Sequence, residues 1–87
     1  MRKSIKISLW LMVMLILLPS DMFALKAEDY YFKGQDYFNA KSYKDAIYWM
    51  EKSFQLKKDK DTALNIGVAY KLMREYDKAV LWYVKAM

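Results

Sequence analysis

The residue types that most often carry covalent or acid–base chemistry are largely missing from this 87-residue chain. It has no histidine and no cysteine. The commonest general base and the commonest activated nucleophile are therefore absent, as are disulfides, thiolate metal sites and a lipid-modified cysteine anchor. Of the serines, Ser4, Ser8 and Ser20 belong to an N-terminal leader. Ser42 reads as a helix N-cap, and neither it nor Ser53 sits at a sharp strand-to-helix turn. Asp59 and Asp61 suggest a calcium loop, but the stretch lacks the turn glycine and the bidentate glutamate that such a loop requires. No glycine-rich phosphate loop exists, because the glycines are Gly34 and Gly67 alone. These absences point away from an enzyme, from a metal and from a cofactor, and toward a binding surface.

The elements that would build such a surface follow from a period. Gly34, Tyr37, Tyr43, Ala46 and Trp49 recur as Gly67, Tyr70, Tyr76, Ala79 and Trp82, each pair 33 residues apart. A fixed period of this size marks a repeat architecture. In the second copy, Ala63, Ile66, Gly67, Tyr70 and Met73 share one helical face. Tyr76, Ala79, Val80, Tyr83, Ala86 and Met87 share another. Only Arg74 and Glu75 separate them, so the helices must turn tightly and run antiparallel. Gly in a helix interior costs about 1 kcal/mol relative to Ala, so a glycine repeated at mid-helix implies close backbone packing, here Gly67 against Ala79. In the first copy Tyr30, Gly34, Tyr37 and Phe38 lie on one helix, and Tyr43, Ala46, Ile47, Met50 and Phe54 on the next. The aromatic slots at Tyr30, Tyr37, Tyr43, Phe54, Tyr70, Tyr76 and Tyr83 read as core. Trp49 and Trp82 read as packing within each copy.

The run Ala63-Leu64-Asn65-Ile66-Gly67-Val68-Ala69-Tyr70, followed by Tyr76 through Ala86, resembles the tetratricopeptide repeat, a helix-turn-helix unit of about 34 residues. The first copy matches at Tyr30, Gly34, Tyr37, Tyr43, Ala46 and Met50. It departs at Lys33 and Ser53, and Lys41 and Arg74 stand where the turn usually has Gly. The resemblance covers roughly residues 27–87. It implies an all-α helical repeat, or α-solenoid, of two units, about 27–59 and 60–87, the second truncated at its end. It further implies that the first helix of each unit lines a groove for a partner peptide. Carried over by position, that groove holds Tyr31, Gln35, Phe38, Leu64, Asn65, Val68 and Lys71. Asn65 occupies a slot that in the family often bonds a ligand backbone. Tyr31 and Gln35 stand where the carboxylate-clamping members have Lys and Asn, so no such clamp is expected. An apolar groove suits a helix or hydrophobic segment.

The N-terminus is a separate object. Arg2, Lys3 and Lys6 precede an apolar run from Ile7 to Leu18, and Pro19-Ser20-Asp21 ends it. This is the layout of a secretory signal peptide, and the run is short for a membrane span. The sequence thus divides into an apolar leader helix, 1–24, cut after Ala24, and a domain, 25–87. Cutting after Ala27 would instead begin the mature chain in the first turn of the first helix. The alternative is an uncleaved anchor, residues 5–18, in a bacterial inner membrane.

Residues 25–87 carry 12 Lys/Arg against 9 Asp/Glu, interspersed rather than striped, which does not favour nucleic acid. Lys57 to Asp61 reads as a solvated linker. A domain near 60 residues buries only about 60% of its unfolded surface, and two repeats without a polar capping helix are marginal. The open face of the last helix therefore implies self-association or a protein partner. The expected function is an exported, envelope-associated scaffold that binds a protein segment. The alternative is the N-terminal portion of a larger repeat protein with an effector domain beyond residue 87.

Overall fold

The computed structural model describes residues 22–87, all of them in helices or the turns between them. α1 is helical over 22–39, α2 spans Tyr43–Leu56, α3 Lys60–Leu72 and α4 Tyr76–Lys85. The described residues contain no strand. Residues 1–21, the greater part of the expected leader, lie outside the described residues.

The helices pair into two antiparallel hairpins, and the turns explain why. At the end of α1, the Ser42 N–H donates to Tyr37 O and the Lys41 N–H to Phe38 O, both at 2.9 Å. At the end of α3, the Glu75 N–H donates to Tyr70 O and the Arg74 N–H to Lys71 O, again at 2.9 Å. Each pair of bonds is the six-to-one and five-to-two pattern that closes a helix on one left-handed residue. That residue is Lys41 (φ 62°) in the first turn and Arg74 (φ 65°) in the second. Every atom pair in one turn thus has its counterpart 33 residues on. Neither position carries the glycine that this backbone favours.

The crossings repeat as well. A Cβ built on Gly34 would stand 2.5 Å from Met50 Cγ and 3.1 Å from Ala46 O. One built on Gly67 would meet the Tyr83 ring at 2.7 Å and Ala79 O at 3.3 Å. Both glycines exist because a neighbouring helix occupies the space of a side chain. Ala46, Ala63, Ala69 and Ala79 are buried around these crossings. The central cluster, Ile47, Met50, Ile66 and Ala69, joins α2 to α3 and thereby one hairpin to the other.

Several expectations need correction. The linker between α2 and α3 is only 57–59: Asp59 is the N-cap of α3, its carboxylate accepting the Asp61 N–H at 2.8 Å. Ser42 stands at the N-cap of α2, but its hydroxyl makes no bond to the helix backbone and donates to Asp45 Oδ2 instead, at 2.7 Å. The first helix already includes 22–27, so Ala24 lies within it, exposed. Tyr37 and Tyr76 are not core residues but are 40% and 58% exposed. Tyr70, which corresponds to Tyr37, leans on α2, where its hydroxyl donates to Glu51 Oε1 at 3.3 Å; no helix precedes Tyr37 in that way among the described residues. Tyr43, which corresponds to Tyr76, packs on the cluster that includes Ile66 and Ala69 of α3, whereas nothing described follows α4.

The tryptophans part company. Trp49 packs within its hairpin, its ring 5.6 Å from that of Tyr30. Trp82 packs between hairpins, edge-on to Phe54 of α2 at 5.2 Å. The residue corresponding to Tyr30 is the fully buried Ala63, which is too small to give Trp82 an aromatic partner. Ser53, a departure from the repeat pattern, has a use: its buried hydroxyl donates to Ala27 O at 2.6 Å and fastens α1 to α2. Lys33 departs for a different reason. Its counterpart Ile66 is fully buried, but Lys33 is exposed on the outer side of α1, with its ammonium 4.5 Å over the Trp49 ring.

Candidate peptide-binding groove

α1 and α3 lie on the same side of the two hairpins, and one hydrogen-bonded group links them. The Asn65 side chain donates from Nδ2 to the Tyr31 hydroxyl oxygen at 2.7 Å. Gln35, one turn along α1 from Tyr31, donates from Nε2 to the same oxygen at 3.1 Å. Tyr31, Gln35 and Asn65 are all half-buried. The Tyr31 hydroxyl and the Asn65 and Gln35 side-chain amides each carry both donor and acceptor capacity, the two kinds of group that the carbonyl and N–H of a peptide unit would need.

Apolar and charged groups flank this centre along α3. Leu64 is 46% exposed, Val68 is half-buried and Lys71 is exposed. Their spacing places them on one face, so a segment bonded at Asn65 would run over Leu64 and Val68 with Lys71 at its end. Leu72, 50% exposed, extends the same face. Phe38 is placed differently from the other groove positions. Its ring stands edge-on to Tyr43 at 5.5 Å and packs on the core cluster, so it presents little surface to a ligand.

The groove continues past Tyr31 into a cleft of about 250 Å³ between α1 and the α2–α3 linker. Phe32, exposed and edge-on to Tyr31 at 5.9 Å, forms one wall. Glu28, Lys57, Asp59 and Asp61 line the rest. The family resemblance, carried over by position, already places Glu28 and Asp61 on this surface; Lys57 and Asp59 are not among those positions, because the run from Lys57 to Asp61 reads as a solvated connection.

The groups displaced from their ordinary titration ranges lie away from the groove. Tyr70 is raised, by burial first and then by the negative Glu51 carboxylate, which accepts a hydrogen bond from its hydroxyl. Lys52 is raised chiefly by its Tyr48 hydrogen-bond partner; its ammonium stands 4.7 Å from the Tyr48 ring and 5.2 Å from that of Trp49. Both side chains serve packing between and along the helices.

No family model matches this chain, and no curated protein and no solved structure is significantly similar to it. The class rests on the structure: an all-α chain whose described residues fold as four helices. No helix among those residues is long and apolar enough to cross a membrane.

Proposed function

We propose that the chain is a tetratricopeptide-like helical repeat that acts without catalysis, binding a segment of another protein in the groove formed by α1 and α3. One observation carries this reading: the Tyr31–Asn65 bond, 2.7 Å long, which ties the two groove-lining helices together. The two turns, hydrogen-bonded alike, and the two glycine crossings, each at a spacing of 33 residues, support the repeat assignment. The exposed Leu64 and half-buried Val68 favour an apolar segment as ligand. Its main chain would bond to the amide centre and its side chains would cover the leucine.

The basic start and apolar run of residues 2–18 support export, with the signal removed after Ala24. Ala27 is buried and its carbonyl is held by Ser53, so a cut after Ala24 keeps this contact and a cut after Ala27 removes it. On this reading the protein works outside the cytoplasm, at the bacterial envelope.

The test is site-specific photocrosslinking in intact cells. A photoreactive residue at Leu64 should capture a defined protein, and one at Tyr48, on the opposite side of the hairpins, should not. Adding Asn65→Ala to the Leu64 probe should reduce capture about tenfold, the equivalent of roughly 1.4 kcal/mol. Equal capture at Leu64 and Tyr48, or capture that ignores Asn65→Ala, would remove the groove from the account.

A further inference from the structure

The hairpins differ most where a third one would begin. On α2, Ile47 is only 6% exposed because α3 covers it. The corresponding residue on α4, Val80, is 58% exposed. Tyr76, Val80, Val84 and Met87 fall at helical spacing along one stripe, Leu81 flanks it, and all are more than half exposed. The other end of the molecule is unlike this. The residues of α1 that correspond to the buried Thr62, Ile66 and Ala69 of α3 are Asp29, Lys33 and Asp36, and all three are exposed. α1 therefore finishes its end with charge, while α4 leaves an apolar face. A second copy adding its α1 to this face would bury those charges against valine and methionine, at a desolvation cost with nothing to offset it.

The face does match itself. Asp77 and Lys85 lie four residues to either side of Leu81. Two α4 helices packed antiparallel about a two-fold axis near Leu81 would set Asp77 of each copy beside Lys85 of the other. The valine stripes would meet between them and the helix dipoles would oppose. Such an isologous contact closes on itself and leaves no apolar face open.

We propose that the chain forms a two-fold dimer through antiparallel contact of its α4 helices. Five large apolar side chains from each copy, at about 100 Å² apiece, would hide on the order of 1,000 Å² in total, near the lower limit for a specific interface. The contact uses no groove residue, so it stands or falls separately from ligand binding.

Because the chain has no cysteine, a single introduced thiol reports the contact without background. The full chain is expressed in intact cells as Leu81→Cys or, for comparison, as Tyr48→Cys, which is also at an exposed position, and is oxidised mildly. A covalent dimer is expected from Leu81→Cys and not from Tyr48→Cys. In the Leu81→Cys background, Asp77→Lys or Lys85→Asp alone should lower dimer yield several-fold, and the two together should restore it. Helical circular dichroism equal to that of the parent shows that each single variant folds. Absence of dimer, equal yield from Tyr48→Cys, failure of the double reversal to restore it, or a Leu81→Cys adduct to a different protein would each overturn the proposal.

Discussion

Replacing each repeated glycine with alanine separates helix propensity from packing, and the structure assigns the two sites different outcomes. Alanine in place of glycine inside a helix is worth about 1 kcal/mol. At Gly34 the new methyl would stand 2.5 Å from Met50 Cγ and 3.1 Å from the Ala46 carbonyl. Met50 is 1% exposed and has nowhere to swing, so the overlap costs the 1–3 kcal/mol typical of overpacking. Gly34→Ala is therefore destabilising by about 1 kcal/mol net, which lowers Tm by roughly 4–8 °C in a domain this size. At Gly67 the clash is with the Tyr83 ring at 2.7 Å, and the backbone oxygen lies farther off, at 3.3 Å. Tyr83 is half-buried on the last helix and can turn outward, so Gly67→Ala should fall within about 0.5 kcal/mol of wild type, propensity and displacement nearly cancelling. Urea and thermal unfolding followed by circular dichroism measure both. If Gly34→Ala raised stability by the full propensity difference, or if the two variants behaved alike, the packing argument at the crossings would be refuted.

Three further outcomes follow from single contacts. Arg74→Gly should stabilise by about 0.5–1 kcal/mol, because the left-handed backbone there costs an L-residue about 1–2 kcal/mol and part of the gain is lost to the freer unfolded chain; Lys41→Gly should match it, and denaturant midpoints decide. Ser53→Ala removes the hydroxyl that donates to Ala27 O and should cost about 1–2 kcal/mol, with faster hydrogen exchange in α1 near Ala27 than in wild type. Tyr70 is favoured in its neutral form by the fold. Its folded value lies above its unfolded one, so the stability it contributes is complete below about pH 10 and is lost as pH rises through the folded value. Denaturant midpoints should therefore fall less steeply above about pH 10 in Tyr70→Phe than in wild type, and an unchanged slope would deny Tyr70 this role.

The period made the hairpins legible, because identical residues at identical offsets required identical crossings and turns. Gly34 and Gly67 could be read as contact points from their place in the period, because a glycine repeated at mid-helix implies close backbone packing. What the period concealed was the difference between an interior and an end. Tyr37 and Tyr76 look like core tyrosines by analogy with Tyr70 and Tyr43, yet among the described residues neither has the neighbouring helix that buries its counterpart. Lys33 and Ser53 look like defects in a pattern. In the fold, Lys33 sits on the outer face of the first helix and Ser53 holds a buried carbonyl. The candidate groove could be written from the sequence as a list of positions on α1 and α3, but the bonding among them could not. Tyr31 corresponds to Leu64 rather than to Asn65, so no repeat relation pairs Tyr31 with Asn65, and only the distance between helices brings them together. Phe38 shows the converse. Its sequence position allows either groove or core, and Tyr43 draws it to the core.

The most direct test of the groove uses the segment captured at Leu64, made as a peptide and titrated into isotope-labelled protein while side-chain resonances are followed by nuclear magnetic resonance. The account predicts saturable shifts in the side-chain amides of Asn65 and Gln35 and in the methyls of Leu64 and Val68, with the Trp49 indole unmoved. Shifts centred on Trp49 and Tyr48, with the Asn65 amide unchanged, would contradict it.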